Sequence, residues 1–218
     1  LDELEKIYRA EERWEDVVGV KMQRAAAFSD AEEKVRELLE VTELWRSPLE
    51  AYDNATVAYD RILEVEPLHE RAFKELERLH TRAERWEPLL ELYLNRLEYL
   101  EEVPVRNELL RRIARVFEER LDDANQAFDA LVNAFSDDYG DDQTSAYLER
   151  MAQVTGRWGE LINSANAWLQ DEEDPRKLIQ LGLRLGKWYG EDLGRPEYAM
   201  PYYQKVLDEF AVSEYLED

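Results

Sequence analysis

Between residues 68 and 135 the apolar positions fall into four runs at helical spacing. Phe73, Leu76, Leu79 and Ala83 mark a helix from Leu68 or His69 to Glu84, and Trp86 opens another with Leu89, Leu90, Tyr93, Leu97 and Leu100 on one face. After the break Glu101-Glu102-Val103-Pro104, the stretch to Arg120 carries Leu109, Leu110, Ile113, Val116 and Phe117. A fourth helix runs from Asp122 or Asp123 to Phe135 on Ala124, Ala127, Phe128, Leu131 and Ala134. No stretch alternates with a period of two, so strands are not expected. Ser47-Pro48 and Asp174-Pro175 read as a capping side chain before a proline at the first helical position, and Pro67 and Gly140 read as stops.

The four-helix pattern repeats. Trp14, Trp86 and Trp158 are each preceded by arginine (Arg13, Arg85, Arg157) at 72-residue spacing. At that offset, without gaps, Leu4 aligns with Leu76 and Leu148, Ile7 with Leu79 and Met151, Val17 with Leu89 and Leu161, and Ala55 with Ala127 and Ala199. A period of this kind belongs to solenoids, in which each unit buries its apolar face on its neighbours. The expected fold is an all-α right-handed α-solenoid of about six antiparallel helical hairpins, in double-repeat units 1–72, 73–144 and 145–218. Leu1 to Glu5 align with Phe73 to Glu77, inside a helix, and Tyr215-Leu216-Glu217 resembles Tyr147-Leu148-Glu149. Both ends therefore read as cut from a longer array.

Each hairpin spans about 36 residues, close to the ~34 of a tetratricopeptide repeat. Ala55, Tyr59, Ile62 and Pro67 resemble that family's small, aromatic, apolar and proline signature, and Ala127, Leu131 and Ala134 keep most of it. The first hairpins depart from the pattern: Glu5, Glu77 and Glu149 stand where glycine is usual, and Val17, Leu89 and Leu161 where alanine faces it. The chain is thus similar to degenerate tetratricopeptide or half-a-tetratricopeptide repeats along its whole length. The resemblance implies a scaffold for peptides or proteins and no catalysis of its own.

Charge narrows the partners. The chain has 51 acidic and 28 basic residues, a net charge of −23, and the excess is spread over all three units. Phosphate backbones and anionic lipid are repelled by such a surface, so neither nucleic acid nor membrane is an expected partner. There is no cysteine. No apolar run approaches the ~20 residues of a membrane span, and Leu-Asp-Glu-Leu-Glu is not a signal peptide, so a soluble, cytoplasmic chain is expected.

Most chemical motifs are absent or better explained by structure. The three tryptophans read as wedges between helices rather than an aromatic ladder, and Tyr202 and Tyr203, near Tyr198 and Trp188, read as packing. The loop Asp137-Asp138-Tyr139-Gly140-Asp141-Asp142 lacks the glycine spacing of a calcium loop, and Asp141 or Asp142 is expected to cap the next helix. His69 and His80, the only histidines, lie 11 residues apart, which is not a metal-ligand spacing on a helix. No phosphate loop or nucleophile elbow is present, and no catalytic residue, cofactor or metal is expected.

The tetratricopeptide register, carried onto the inward positions of each first helix, gives a run of cations. Lys6 is followed by Lys74 and Arg78, Arg111 and Arg115, Arg150 and Lys187, with Arg112 and Arg184 flanking and Glu43 the one acid. The partner-binding residues expected are therefore Lys74, Arg78, Arg111, Arg115, Arg150 and Lys187, gripping an acidic segment of a protein or peptide. The alternative is that these are solvated side chains paired one turn away, as Arg115 with Glu119, each pair adding ~0.2–0.5 kcal/mol. Other expected uses of the chain are self-assembly through the repeat ends, giving a homo-oligomer, and service as a regulatory arm of a larger protein.

Overall fold

In the computed structural model, residues 1–216 are described, with side chains for all of these except Tyr52 and residues 210–216. The closing Tyr215-Leu216-Glu217 resemblance lies outside the described side chains. Twelve α-helices and no strand occur among the described residues. They are α1 (Asp2–Ala10), α2 (Trp14–Ala27), α3 (Ala31–Arg46), α4 (Tyr52–Val65), α5 (Glu70–Arg82), α6 (Trp86–Leu97), α7 (Val103–Arg120), α8 (Ala124–Asp137), α9 (Asp142–Thr155), α10 (Trp158–Asp171), α11 (Pro175–Lys187) and α12 (Pro196–Leu216). A π-helical turn, Trp188–Asp192, extends α11.

The chain forms two compact units, Leu1–Leu100 with α1 to α6 and Glu101–Asp218 with α7 to α12. Within each, every helix packs on the next in chain order, the contact pattern of stacked hairpins. Helix starts follow the tryptophan spacing: α2, α6 and α10 begin at Trp14, Trp86 and Trp158.

Backbone geometry explains why the hairpins close where they do. Glu12, Glu84 and Gly156 have positive φ, as do Glu50, Asp122 and Gly194, and each trio is spaced by 72 residues. In the first trio the amide after the left-handed residue reaches back five positions (Arg13 to Tyr8, Arg85 to His80, Arg157 to Ala152), which is the Schellman closure of a helix. In the second trio it reaches back six (Ala51 to Trp45, Asp123 to Phe117, Arg195 to Tyr189), a wider ending. All six turns inside hairpins contain one such residue, and the connections between hairpins contain none.

Those connections rely on side-chain caps instead. Asp30 accepts from the Glu33 amide, His69 Nδ1 from Ala72, Asp141 from Gln143 and Thr144, and Asp174 from Arg176 just before Pro175. The expected Ser47-Pro48 helix start is not there. α3 runs on to Arg46, Ser47 ends it by donating its amide to the Glu43 carbonyl, and α4 begins five residues later. Proline after a helix C-terminus is as common as proline at an N-terminus, and the dipeptide alone does not distinguish them.

The tetratricopeptide-like signature lies in the core: Ala55, Tyr59 and Ile62 are fully buried, with Ala127, Leu131 and Ala134 likewise. Val17, Leu89 and Leu161, the larger residues at the usual alanine site, are also buried.

Candidate functional site

The acids that replace glycine, Glu5, Glu77 and Glu149, are hydrogen-bond centres rather than surface charges. Glu5 on α1 receives Arg9, Arg24 and the ammonium of Lys21. Glu77 accepts from the Tyr93 hydroxyl. Glu149 accepts from Lys187 at 2.7 and 2.9 Å and from the indole of the fully buried Trp188 at 2.8 Å. Tyr93 occupies the place in the second repeat that Lys21 holds in the first, so one buried acid is met by different donors. Lys21 is 2% exposed and also meets Glu37 at 3.2 Å and Glu40 at 2.6 Å. Sequence periodicity did not single it out, because a lysine at an apolar helical position reads as an exception until its carboxylates are in place.

In the unit Leu1–Leu100, the predicted cations Lys74 and Arg78 are exposed and pair along α5, with Glu70 at 3.0 Å and Glu75 at 2.9 Å. Lys6 pairs with Glu3 in the same way. Glu43 on α3 binds Arg71 of α5, tying two first helices together.

In the unit Glu101–Asp218, Arg111, Arg115, Arg150 and Lys187 fall on the first helices α7, α9 and α11, and most of them bridge helices. Arg111 is largely buried. It binds Asp141 at the cap of α9, the Thr144 hydroxyl at 2.9 Å and Glu108 at 2.8 Å. Arg150 lies over the Tyr147 ring, 4.8 Å from its centre, and binds Glu118 of α7, which also accepts from the Tyr147 hydroxyl. Those hydrogen bonds, Arg150 first, hold the Glu118 carboxyl below the usual range against the opposing effect of burial. Lys187 and Arg184 of α11 reach Glu149 and Asp142 of α9. Arg115 is exposed and has no ion pair among the described residues, Glu119 included.

The acidic loop is fully occupied by protein partners. Asp137 binds Arg106, Asp138 accepts from the Gly140 amide, Asp141 caps α9 and Asp142 binds Arg184. No group of three or more His, Asp or Glu suited to a metal occurs among the described residues. Trp14 is half-buried against Val17, Val18, Val41, Leu44 and Ala58. Trp158 meets Trp188 edge-on at 6.1 Å. Trp188 is buried, Tyr202 stacks on Tyr189 at 5.5 Å, and Tyr198 is exposed beside the same ring. No helix among the described residues is long and apolar enough to cross a membrane.

Hairpin length, chain-order packing and the buried Ala55-Tyr59-Ile62 set agree. The fold is tetratricopeptide-like. No family model and no curated protein matches this tetratricopeptide-like chain. Among solved structures it is similar to YrrB, described as a TPR protein with an unusual peptide-binding site, at 17% identity and TM-score 0.38, over 79% of this chain and 84% of that one. Two structures of MamA are similar at 16% identity: one at TM-score 0.36, covering 79% of this chain and 96% of that one, the other at 0.39, covering 82% and 92%.

Proposed function

We propose that this chain is a non-enzymatic protein-interaction scaffold that docks an acidic segment of a partner along the first helices of its hairpins. The observation that carries the reading is the cationic ladder on α7, α9 and α11, in which Arg111, Arg150 and Lys187 are positioned by neighbouring acids while the Arg115 guanidinium is exposed and unpaired. An incoming carboxylate finds a free fork of donors at Arg115 and exchangeable ion pairs beside it. Partly exposed pairs of this kind hold their geometry weakly, so exchange costs little.

The test uses Arg115→Glu, because reversing Arg111 would break the α7–α9 bridge and confuse binding with folding. A fluorescent peptide of six alternating aspartates and glutamates should bind the intact chain saturably at low salt, and Arg115→Glu should weaken it about tenfold or more with unchanged helicity. Equal binding to both proteins would overturn the acidic-segment reading.

A second reading, self-association, has its own support. Leu4 and Ile7 on α1 are 46% and 51% exposed, whereas their repeat equivalents Leu76, Leu79, Leu148 and Met151 are buried. On α12, Met200 and Leu207 are 66% and 62% exposed where Phe128 and Phe135 of α8 are buried. A helix face that its neighbour covers elsewhere in the array is open at both places, and copies stacking head to tail would cover it.

A further inference from the structure

A cleft of ≈ 440 Å³ lies within the unit Leu1–Leu100, between α4 and α6 with α5 behind them, away from the cations discussed above. Its inner wall is Leu63, Leu92, His80 and the stem of Arg96, and its rim carries Asp60, Glu64 and Glu91. These three carboxylates converge. Asp60 is pushed above its ordinary pKa by its partly enclosed setting and then by the negative charges of Glu64 and Glu91, and Glu91 also acts on His80.

None of the three acids has an ion pair or hydrogen bond among the described residues, in a chain whose other acids are widely paired. Two polar atoms of the wall are also without partners. His80 is 9% exposed, and its Nδ1 is buried and bonded to nothing; Arg96, held by Glu70 and stacked over Phe73, leaves Nη1 buried and unbonded. Burial, and then the charge of Arg85, lower the His80 pKa and keep the imidazole neutral near pH 7, so Nδ1 can accept a hydrogen bond. Buried polar atoms without partners are costly, and a site that leaves two in one cleft is built for groups that satisfy them.

We propose that this cleft binds a lysine or arginine side chain of a partner polypeptide. Its cationic head is held by Asp60, Glu64, Glu91 and His80 Nδ1, its aliphatic stem lies on Leu63 and Leu92, and a carbonyl of the same segment takes the free Nη1 hydrogen of Arg96. Charge selects the occupant: converging unpaired carboxylates attract a cation, and an apolar wall suits the methylenes that carry it. An acidic segment on the first helices and a basic residue in this cleft use different residues and opposite charges, so each stands or fails without the other.

The experiment is a nuclear magnetic resonance titration of the whole chain with acetyl-Gly-Lys-Gly-amide and acetyl-Gly-Arg-Gly-amide. The norleucine and citrulline counterparts serve as neutral controls, and calcium and zinc chloride are run in parallel. Saturable shifts of the His80, Glu91 and Tyr99 amides with the cationic peptides alone are expected. Glu64→Gln/Glu91→Gln, two exposed positions, should weaken binding about tenfold while Arg115→Glu leaves it unchanged. If that double variant loses helicity, Glu91→Gln alone replaces it, with at least a threefold loss expected. Absence of saturable shifts, equal shifts with the neutral peptides, undiminished binding by the variants, or saturation by a metal ion without peptide binding would each overturn the proposal.

Discussion

Glu12, Glu50, Glu84 and Asp122 hold left-handed backbone where the third repeat places Gly156 and Gly194. A side chain in that conformation costs roughly 1–2 kcal/mol, part of which glycine returns as greater freedom in the unfolded chain. Glu84 is exposed, so its replacement disturbs backbone terms alone. Glu84→Gly is expected to raise the unfolding free energy by about 0.5–1 kcal/mol in denaturant melts. Gly156→Ala should lower it by about 1 kcal/mol, although no neighbour lies within 4 Å of the added carbon. These turns were only half legible in the sequence. Gly156 declares itself, but a glutamate gives no sign of positive φ, and only the 72-residue offset ties Glu12 and Glu84 to it. Arg111 is a similar case, since spacing put it on the right helix and could not say that Asp141 and Thr144 would bury its head. His80 was read by its distance from His69, which says nothing about an unbonded Nδ1.

Among the helices, α1 is the one held least by apolar packing, for it has no buried residue. Its attachment runs through Glu5 and Asp2 to Arg24 and Lys21 of α2. Burial alone would raise the Glu5 pKa, yet hydrogen bonds from Arg9 and Arg24 and the charge of Lys21 outweigh it and hold the carboxyl at about 2. A depressed acid contributes its stability above the unfolded value of 4.5 and loses it as pH falls toward 2. By pH 3 the loss is about 2 kcal/mol, so amide protection across α1 should drop roughly thirtyfold between pH 6 and pH 3, ahead of α5. At the other extreme of packing, α11 and α12 approach closely over Gly182 and Gly186. A methyl group on Gly186 would stand 2.3 Å from the Tyr203 ring. Gly186→Ala is expected to cost about 1–3 kcal/mol, visible as a lower thermal midpoint, whereas Gly159→Ala, with no atom within 4 Å, should not. Helix positions were the most legible level, because Trp86, Pro175 and the apolar runs state them directly; Ser47-Pro48 misled because proline marks either end of a helix.

For the molecule as a whole, the uncovered strip on α1 and its counterpart on α12 predict association that depends on concentration. Sedimentation of the intact chain should show mass increasing with concentration, and Leu4→Glu/Ile7→Glu should hold it at 25.9 kDa. A constant monomer mass for both would remove the self-association reading. The net charge of −23 opposes such stacking at low salt, so association should strengthen as salt screens it. The repeat class was legible from the gap-free alignment of Leu4, Leu76 and Leu148. Which of those equivalent leucines is covered was not, since that depends on neighbours rather than on the residue.

The division between turns with a left-handed residue and connections without one also sets where the chain tolerates growth. Inside a hairpin the closure counts residues back from a single backbone kink, and one extra amino acid there would rotate the following helix off its partner. The cap-and-linker stretches at 28–30, 66–69, 138–141 and 172–174 carry no such count. Insertions, tags or grafted loops placed there should leave the helices in register, making them the natural sites at which relatives of this chain would differ in length.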